Sequence, residues 1–177
     1  MRPGRYASLP ELCEPVSCDM TLDPPQAASQ SSAAHIGRWI IPAIPFGWKW
    51  IEGFGIQRSG ESVTPSNVYL QEDDLLGGDQ LMFYIQTQIA IMKRTFRDPV
   101  VAGPAPSKFP GAQDSAMLML KHQPMNEMSV IQVQHYMRNE RWIGIVTLTT
   151  LETELLKVRP DFEQFLKLLR IAQPEHP

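Results

Sequence analysis

Residues 130–150 read VIQVQHYMRNERWIGIVTLTT, two runs rich in β-branched and aromatic residues around a short polar stretch. Such a pattern predicts a β-hairpin. With Asn139 and Glu140 as the turn, Tyr136 faces Ile143, Gln134 faces Ile145, Gln132 faces Thr147 and Val130 faces Thr149. On the opposite side Met137 meets Trp142, His135 meets Gly144, Val133 meets Val146 and Ile131 meets Leu148. Because side chains alternate across a sheet, register alone separates these two surfaces. The second is almost wholly apolar and is expected to lie under the helices as core. The first mixes two glutamines and two threonines with Val130, Tyr136, Ile143 and Ile145. A merely solvated face would carry Lys and Glu in place of Ile and Tyr, so this one suits another apolar surface that also needs hydrogen-bond partners. That surface is either a protein partner or the chain's own N-terminal segment or first helix.

Elsewhere the pattern is helical. Leu81, Ile85, Ile89, Met92 and Phe96 recur at steps of four, four, three and four, one stripe of an amphipathic helix. Asp79 is placed to cap its start, and Lys93, Arg94 and Arg97 suit its C-terminal end, where backbone carbonyls favour cations. Phe162, Phe165, Leu166 and Leu169 form the stripe of a last helix, with Pro160 expected at its first position. Thr150 is expected to cap a turn beginning at Leu151. Ala116–His122, AMLMLKH, reads as a strand buried on both faces, and DPVVAGPAPSKFPGAQ as loop with one edge strand. The segment WIIPAIPFGWKW is broken by Pro42 and Pro45, so short strands at a sheet edge or corner are expected, followed by an extended piece around Asn67–Leu70. Residues 1–37, rich in Pro, Ser, Ala and Gln, read as a flexible extension, and residues 38–177 as a single α+β domain, an antiparallel sheet covered by helices.

Composition narrows the functional classes. The chain has 177 residues, 43% hydrophobic, enough for one globular core and too few for a second domain. A net charge of -3 argues against broad nucleic-acid binding, which requires a basic surface. No apolar run approaches the ~20 residues that span a bilayer, so a soluble, cytoplasmic chain without membrane insertion is expected. Both cysteines, Cys13 and Cys18, fall in the N-terminal segment; with His35 they make three zinc ligands at most, and no metal site is expected. No nucleophile elbow, phosphate loop or zinc-protease motif occurs, and no cofactor or enzymatic activity is expected. His122 and His135 read as structural residues, and the adjacent Asp73 and Asp74 as diverging carboxylates. A pocket near Trp39, Trp48, Trp50 and Trp142 would favour a small-ligand binder instead. Of nine methionines, Met82, Met92, Met117, Met119, Met125, Met128 and Met137 lie beyond the extension. Methionine suits surfaces that adapt to varied apolar partners, although core filling is preferred for Met92 and Met137.

The order of an aromatic-rich opening, a helix, a strand pair ending in TLTT and a terminal amphipathic helix resembles the PsbP-like fold. That fold is shared by PsbP, the Ran-binding Mog proteins and the DcrB-like family. Gln134 with its strand, IGIVTLTT at Ile143–Thr150 and Phe162–Leu169 are most similar to the Eag-type effector chaperones of type VI secretion. The resemblance implies a small, often dimeric, non-enzymatic adaptor that binds the apolar, transmembrane-like N-terminal segment of a secreted effector. It points to Gln134 as a client contact. Alternation adds the rest of the mixed face, Val130, Gln132, Tyr136, Ile143, Ile145 and Thr147.

Overall fold

The computed structural model describes residues 33–51, 55–60, 64–75, 80–124 and 128–172. Among them, two antiparallel sheets and two helices make an α+β fold. The larger sheet holds β3 (Trp48–Ile51), β4 (Gly55–Arg58), β5 (Asn67–Asp74), β6 (Val100–Pro106), β7 (Asp114–His122), β8 (Val130–Asn139) and β9 (Trp142–Leu151), ordered β3-β4-β5-β9-β8-β7-β6. The smaller sheet runs β1 (Ala34–Ile36), β2 (Trp39–Ile41), β10 (Arg170–Ile171). Helix α1 (Leu81–Thr95) lies between β5 and β6 in sequence, and α2 (Leu155–Leu168) follows β9 through a short 3-10 turn at Glu152–Glu154. Strand β1 falls within the residues assigned from sequence to the extension; Cys13, Cys18, Asp79 and Met125 lie outside the described residues.

The hairpin forms with a different turn. Asn139 pairs with Trp142, leaving Glu140 and Arg141 as the connection, and Tyr136 pairs with Ile145 instead of Ile143. The side chain of Asn139 explains the change. Its Oδ1 accepts from the Gln113 amide at 2.9 Å and its Nδ2 donates to the Gly111 carbonyl at 2.6 Å, which holds Asn139 in the ladder as the last paired residue. Glu140 then turns the chain at φ 54. The register moves by two residues, an even number, so every side chain keeps the face expected for it.

Each face has its own core. On one, Leu81, Ile85, Ile89 and Met92 of α1 pack against Ala116, Leu118, Leu120, Tyr136, Ile143 and Ile145. On the other, Val158, Phe162 and Phe165 of α2 pack with Trp39 and Ile41 of the small sheet against Val68, Leu70, Met137, Trp142, Val146 and Leu148. The apolar face is thus under α2 and the small sheet, not under both helices. Burial of Met92 and Met137, at 7% and 0% exposure, matches their expected role as core.

Several local expectations are corrected. Leu81 follows Gln80, which makes no side-chain cap bond. Strand β7 is buried on one face only: its outward residues, Met117 and Met119, stay more than a third exposed beside α2. Helix α2 begins five residues before Pro160, which sits on its exposed side. Thr150 caps nothing; it stays in β9, where its hydroxyl lies 2.7 Å from that of Ser66. The edge strand expected in the 98–113 segment is β6, whose Pro104 and Pro106 lack the amides that a further strand would need.

Candidate functional site

Helix α1 divides the mixed hairpin face. Tyr136, Ile143 and Ile145, its most apolar members, are 1%, 0% and 9% exposed beneath that helix, and Val130 is also buried. Of the occupants left open by the sequence, a partner, the N-terminal segment or the first helix, the structure seats the first helix over these residues. The α1 stripe needs an apolar bed, and these residues supply it. Tyr84 of α1 meets Tyr136 edge to face, 6.2 Å between ring centroids, and donates its hydroxyl to Asp73 at 2.7 Å. Burial, and for Tyr84 also the Asp73 carboxylate, pushes both phenols well above their usual pKa. Both are therefore neutral donors.

Gln134 and Thr147 are buried and Gln132 is half-buried, and the two amides are linked in series. Tyr136 donates to Gln134 Oε1 at 2.5 Å, and Gln134 Nε2 donates to Gln132 Oε1 at 3.0 Å. Past them this face continues over β9, β5 and β4 through rows that the pairing sets: Gln132, Thr149, Asn67, Gln57, and next to it Gln134, Thr147, Tyr69, Gly55. Among the described residues, α1 packs chiefly against β6, β7 and β8.

The opposite face is partly exposed over β8, β7 and β6. One row there runs Val133, Met119, Ala102, and the next His135, Met117, Ala105. Met117 and Met119 remain 38% and 37% exposed. Where this strip meets α2, a groove of about 250 Å³ opens, floored by Met117, Met119, Val133, His135 and Leu148 and walled by Leu155, Arg159, Phe162, Glu163 and Leu166. Arg159 and Glu163 pair at 2.7 Å along the helix, and Lys121 pairs with Glu152 at 2.7 Å between β7 and the 3-10 turn. The His135 ring stands edge-on to Phe162, 5.7 Å between centroids. Burial lowers its pKa to about 4 against the opposing pull of Glu163, so at neutral pH the imidazole is uncharged. The groove is consequently an apolar, deformable surface with charges confined to its helical wall.

Other expected chemistry is dispersed. His122 is buried on the α1 side, where its ring packs on Phe96, 4.2 Å between centroids, and burial lowers its pKa. Trp39 and Trp142 contact edge to face at 5.2 Å within the core, while Trp48 donates to Asp161 at 3.0 Å. Those indoles are packing, and only Trp50 is well exposed, so they do not frame the pocket considered from sequence. Among the described residues no three His, Cys, Asp or Glu side chains gather as metal ligands, and no helix is long and apolar enough to cross a membrane. Sequence reasoning missed the groove; its signal was the pair Met117 and Met119, two residues apart on one face of a strand taken as wholly buried.

No protein-family model and no curated protein matches the chain by sequence. Solved structures do match its fold. PA94, a Pseudomonas aeruginosa protein of unknown function, superposes with a TM-score of 0.60 at 15% identity, over 74% of this chain and 90% of that one. LpqN of Mycobacterium tuberculosis, a protein involved in cell envelope biogenesis, gives a TM-score of 0.57 at 13% identity, over 74% and 82%. Cyanobacterial PsbP of Synechocystis is more loosely similar, at a TM-score of 0.48 and 11% identity over 76% and 87%. The α+β fold is therefore one found in solved bacterial proteins.

Proposed function

We propose that the protein is a non-enzymatic adaptor that receives an apolar segment of a partner protein in the groove between α2 and strands β7, β8 and β9. The supporting observation is the pair Met117 and Met119, each more than a third exposed at the centre of an apolar strip. Leaving such side chains in water is unfavourable, at about 25 cal/mol per Å² of apolar surface, and a partner removes that cost. Unbranched methionine side chains conform to varied apolar shapes. The neutral His135 and the aliphatic floor favour uncharged side chains, and the Arg159–Glu163 wall supplies polar contacts at the margin.

The resemblance to effector chaperones suggests the partner: an apolar, transmembrane-like N-terminal segment of a secreted effector, sheltered in the cytoplasm before export. A sheltered segment of this kind would otherwise aggregate. Binding through the groove leaves α1 in place, so the client need not displace the helix that covers Tyr136, Ile143 and Ile145.

The test is co-purification of the full chain with apolar effector segments, comparing wild type with Met119→Glu. Since Met119 faces outward, the variant should retain the wild-type thermal midpoint while losing at least tenfold in affinity, through desolvation of the new carboxylate. Equal capture by both proteins, or none by wild type, would remove the groove as the client site.

A further inference from the structure

The floor of the groove brings two thioethers and an imidazole to one place. Met117 and Met119 share a face of β7, His135 stands directly across from Met117 on β8, and all three line the groove. Their neighbours on β6 are Ala102 and Ala105, whose methyl groups leave both methionines more than a third exposed. The His135 ring stands edge-on to Phe162, and neither of its nitrogens makes a hydrogen bond to a described residue. Met82 and Met128 are equally exposed, but neither lies in a strand opposite a histidine.

The sheet fixes where these side chains begin. Residues directly opposite each other have Cβ atoms about 5 Å apart, and residues two apart along a strand lie about 7 Å apart. A methionine side chain has three rotatable bonds, so both sulphurs can converge on one point in front of the imidazole. The donor set then decides what that point can hold. Calcium and magnesium take oxygen ligands, and structural zinc takes four from among thiolates, imidazoles and carboxylates. Two thioethers with one imidazole match the preference of a soft ion, copper(I) or its congener silver(I). The Glu163 carboxylate acts on the His135 ring from the helical wall and favours positive charge at this end of the groove, although it also pairs with Arg159.

We propose that Met117, Met119 and His135 form a binding site for a monovalent soft metal ion, copper(I), held by two sulphurs and one nitrogen. At neutral pH the imidazole is uncharged, so a ring nitrogen offers its lone pair. Thioether sulphur carries no proton to lose, so the ion displaces none from the methionines. The site rests on the side chains of the groove floor and not on a bound client, although metal and client would compete for the same surface.

The experiment is a titration of the full chain carrying Cys13→Ser and Cys18→Ser, which removes the two thiols that would also take a soft ion. Copper(I) is supplied anaerobically in competition with bicinchoninate, and silver(I) nitrate is the probe for nuclear magnetic resonance. A single equivalent should bind, moving the methyl resonances of Met117 and Met119 together with the His135 ring while those of Met82 and Met128 stay in place. Met117→Leu combined with Met119→Leu removes both sulphurs but keeps the floor apolar. Affinity for the ion should then fall about a hundredfold, while the thermal midpoint and the capture of apolar segments are retained. Should the leucine pair lower the thermal midpoint, Met119→Leu alone carries the test, with about tenfold loss. Zinc(II) sulfate should shift none of the three residues. No saturable binding of either soft ion, unchanged affinity in the leucine variants, or shifts confined to Met82 and Met128 would overturn the proposal. Metal binding at these residues without any capture of apolar segments would uphold the site and remove only the adaptor reading.

Discussion

Gly144 has no side chain because two indoles occupy the space that one would need. A Cβ built there collides with the rings of Trp142 and Trp39, the latter reaching over from β2. Gly144→Ala should therefore destabilise the protein by about 1–3 kcal/mol, read as a lowered denaturation midpoint, since an overpacked core must shift to fit. A second residue-scale consequence concerns acid. His135 has its folded pKa lowered to about 4, while an unfolded histidine titrates near 6.5. Above pH 6.5 both states are neutral and the residue contributes no pH dependence. As the pH falls from about 6.5 towards 4 the unfolded chain gains a proton that the folded one refuses, and stability is lost across that window. His122, also lowered by burial, acts in the same direction. Urea denaturation at several pH values should show this decline, and His135→Gln should flatten it; an equally steep wild-type and variant profile would assign the acid sensitivity elsewhere.

At the scale of elements, periodicity located the helices and the hairpin, and contacts distant in sequence decided where they end. The α1 stripe is as expected because a step of three or four residues is a local property of the chain. The hairpin turn was legible only to within a residue. Asn139 looks like a turn residue, yet its side-chain bonds to residues 111 and 113 keep it in the strand. Thr150 looks like a cap, yet Ser66 engages its hydroxyl. Pro160 looks like a helix start, yet Val158 is fully buried one turn into α2 and draws the preceding residues into the helix. In each case a polar or apolar partner far along the chain outweighs a local preference of about 1 kcal/mol. Met119→Glu, the functional test, belongs to this scale too: β7 has one face in the core and one partly exposed, and only the second tolerates the charge.

For the molecule as a whole, one sheet carries two cores on opposite faces, centred on α1 and on α2. Ile85 and Phe165, at 0% and 1% exposure, belong to different ones. Ile85→Ala and Phe165→Ala should each cost about 2–5 kcal/mol. Combined, they should add to within about 0.5 kcal/mol, because the sites share no contact. Unfolding should still be a single transition by fluorescence and circular dichroism, since both cores rest on β8 and β9. Coupling well above that value would show that the sheet transmits packing strain from face to face.

By itself, the sequence determined the α+β class, the two faces of the hairpin and the stripe of α1, because side-chain alternation and helical repeat are set by neighbours in the chain. Even a register error of two residues left the faces intact. Tertiary structure alone decided what covers each face. The hydrophobic stripe of α1 specifies burial but no address, and Tyr136, Ile143 and Ile145 specify a need for cover but no donor. Hydrophobic attraction is non-directional, so the choice of α1 for one half-face and α2 with the small sheet for the other depends on chain topology. That choice leaves Met117 and Met119 exposed beside α2.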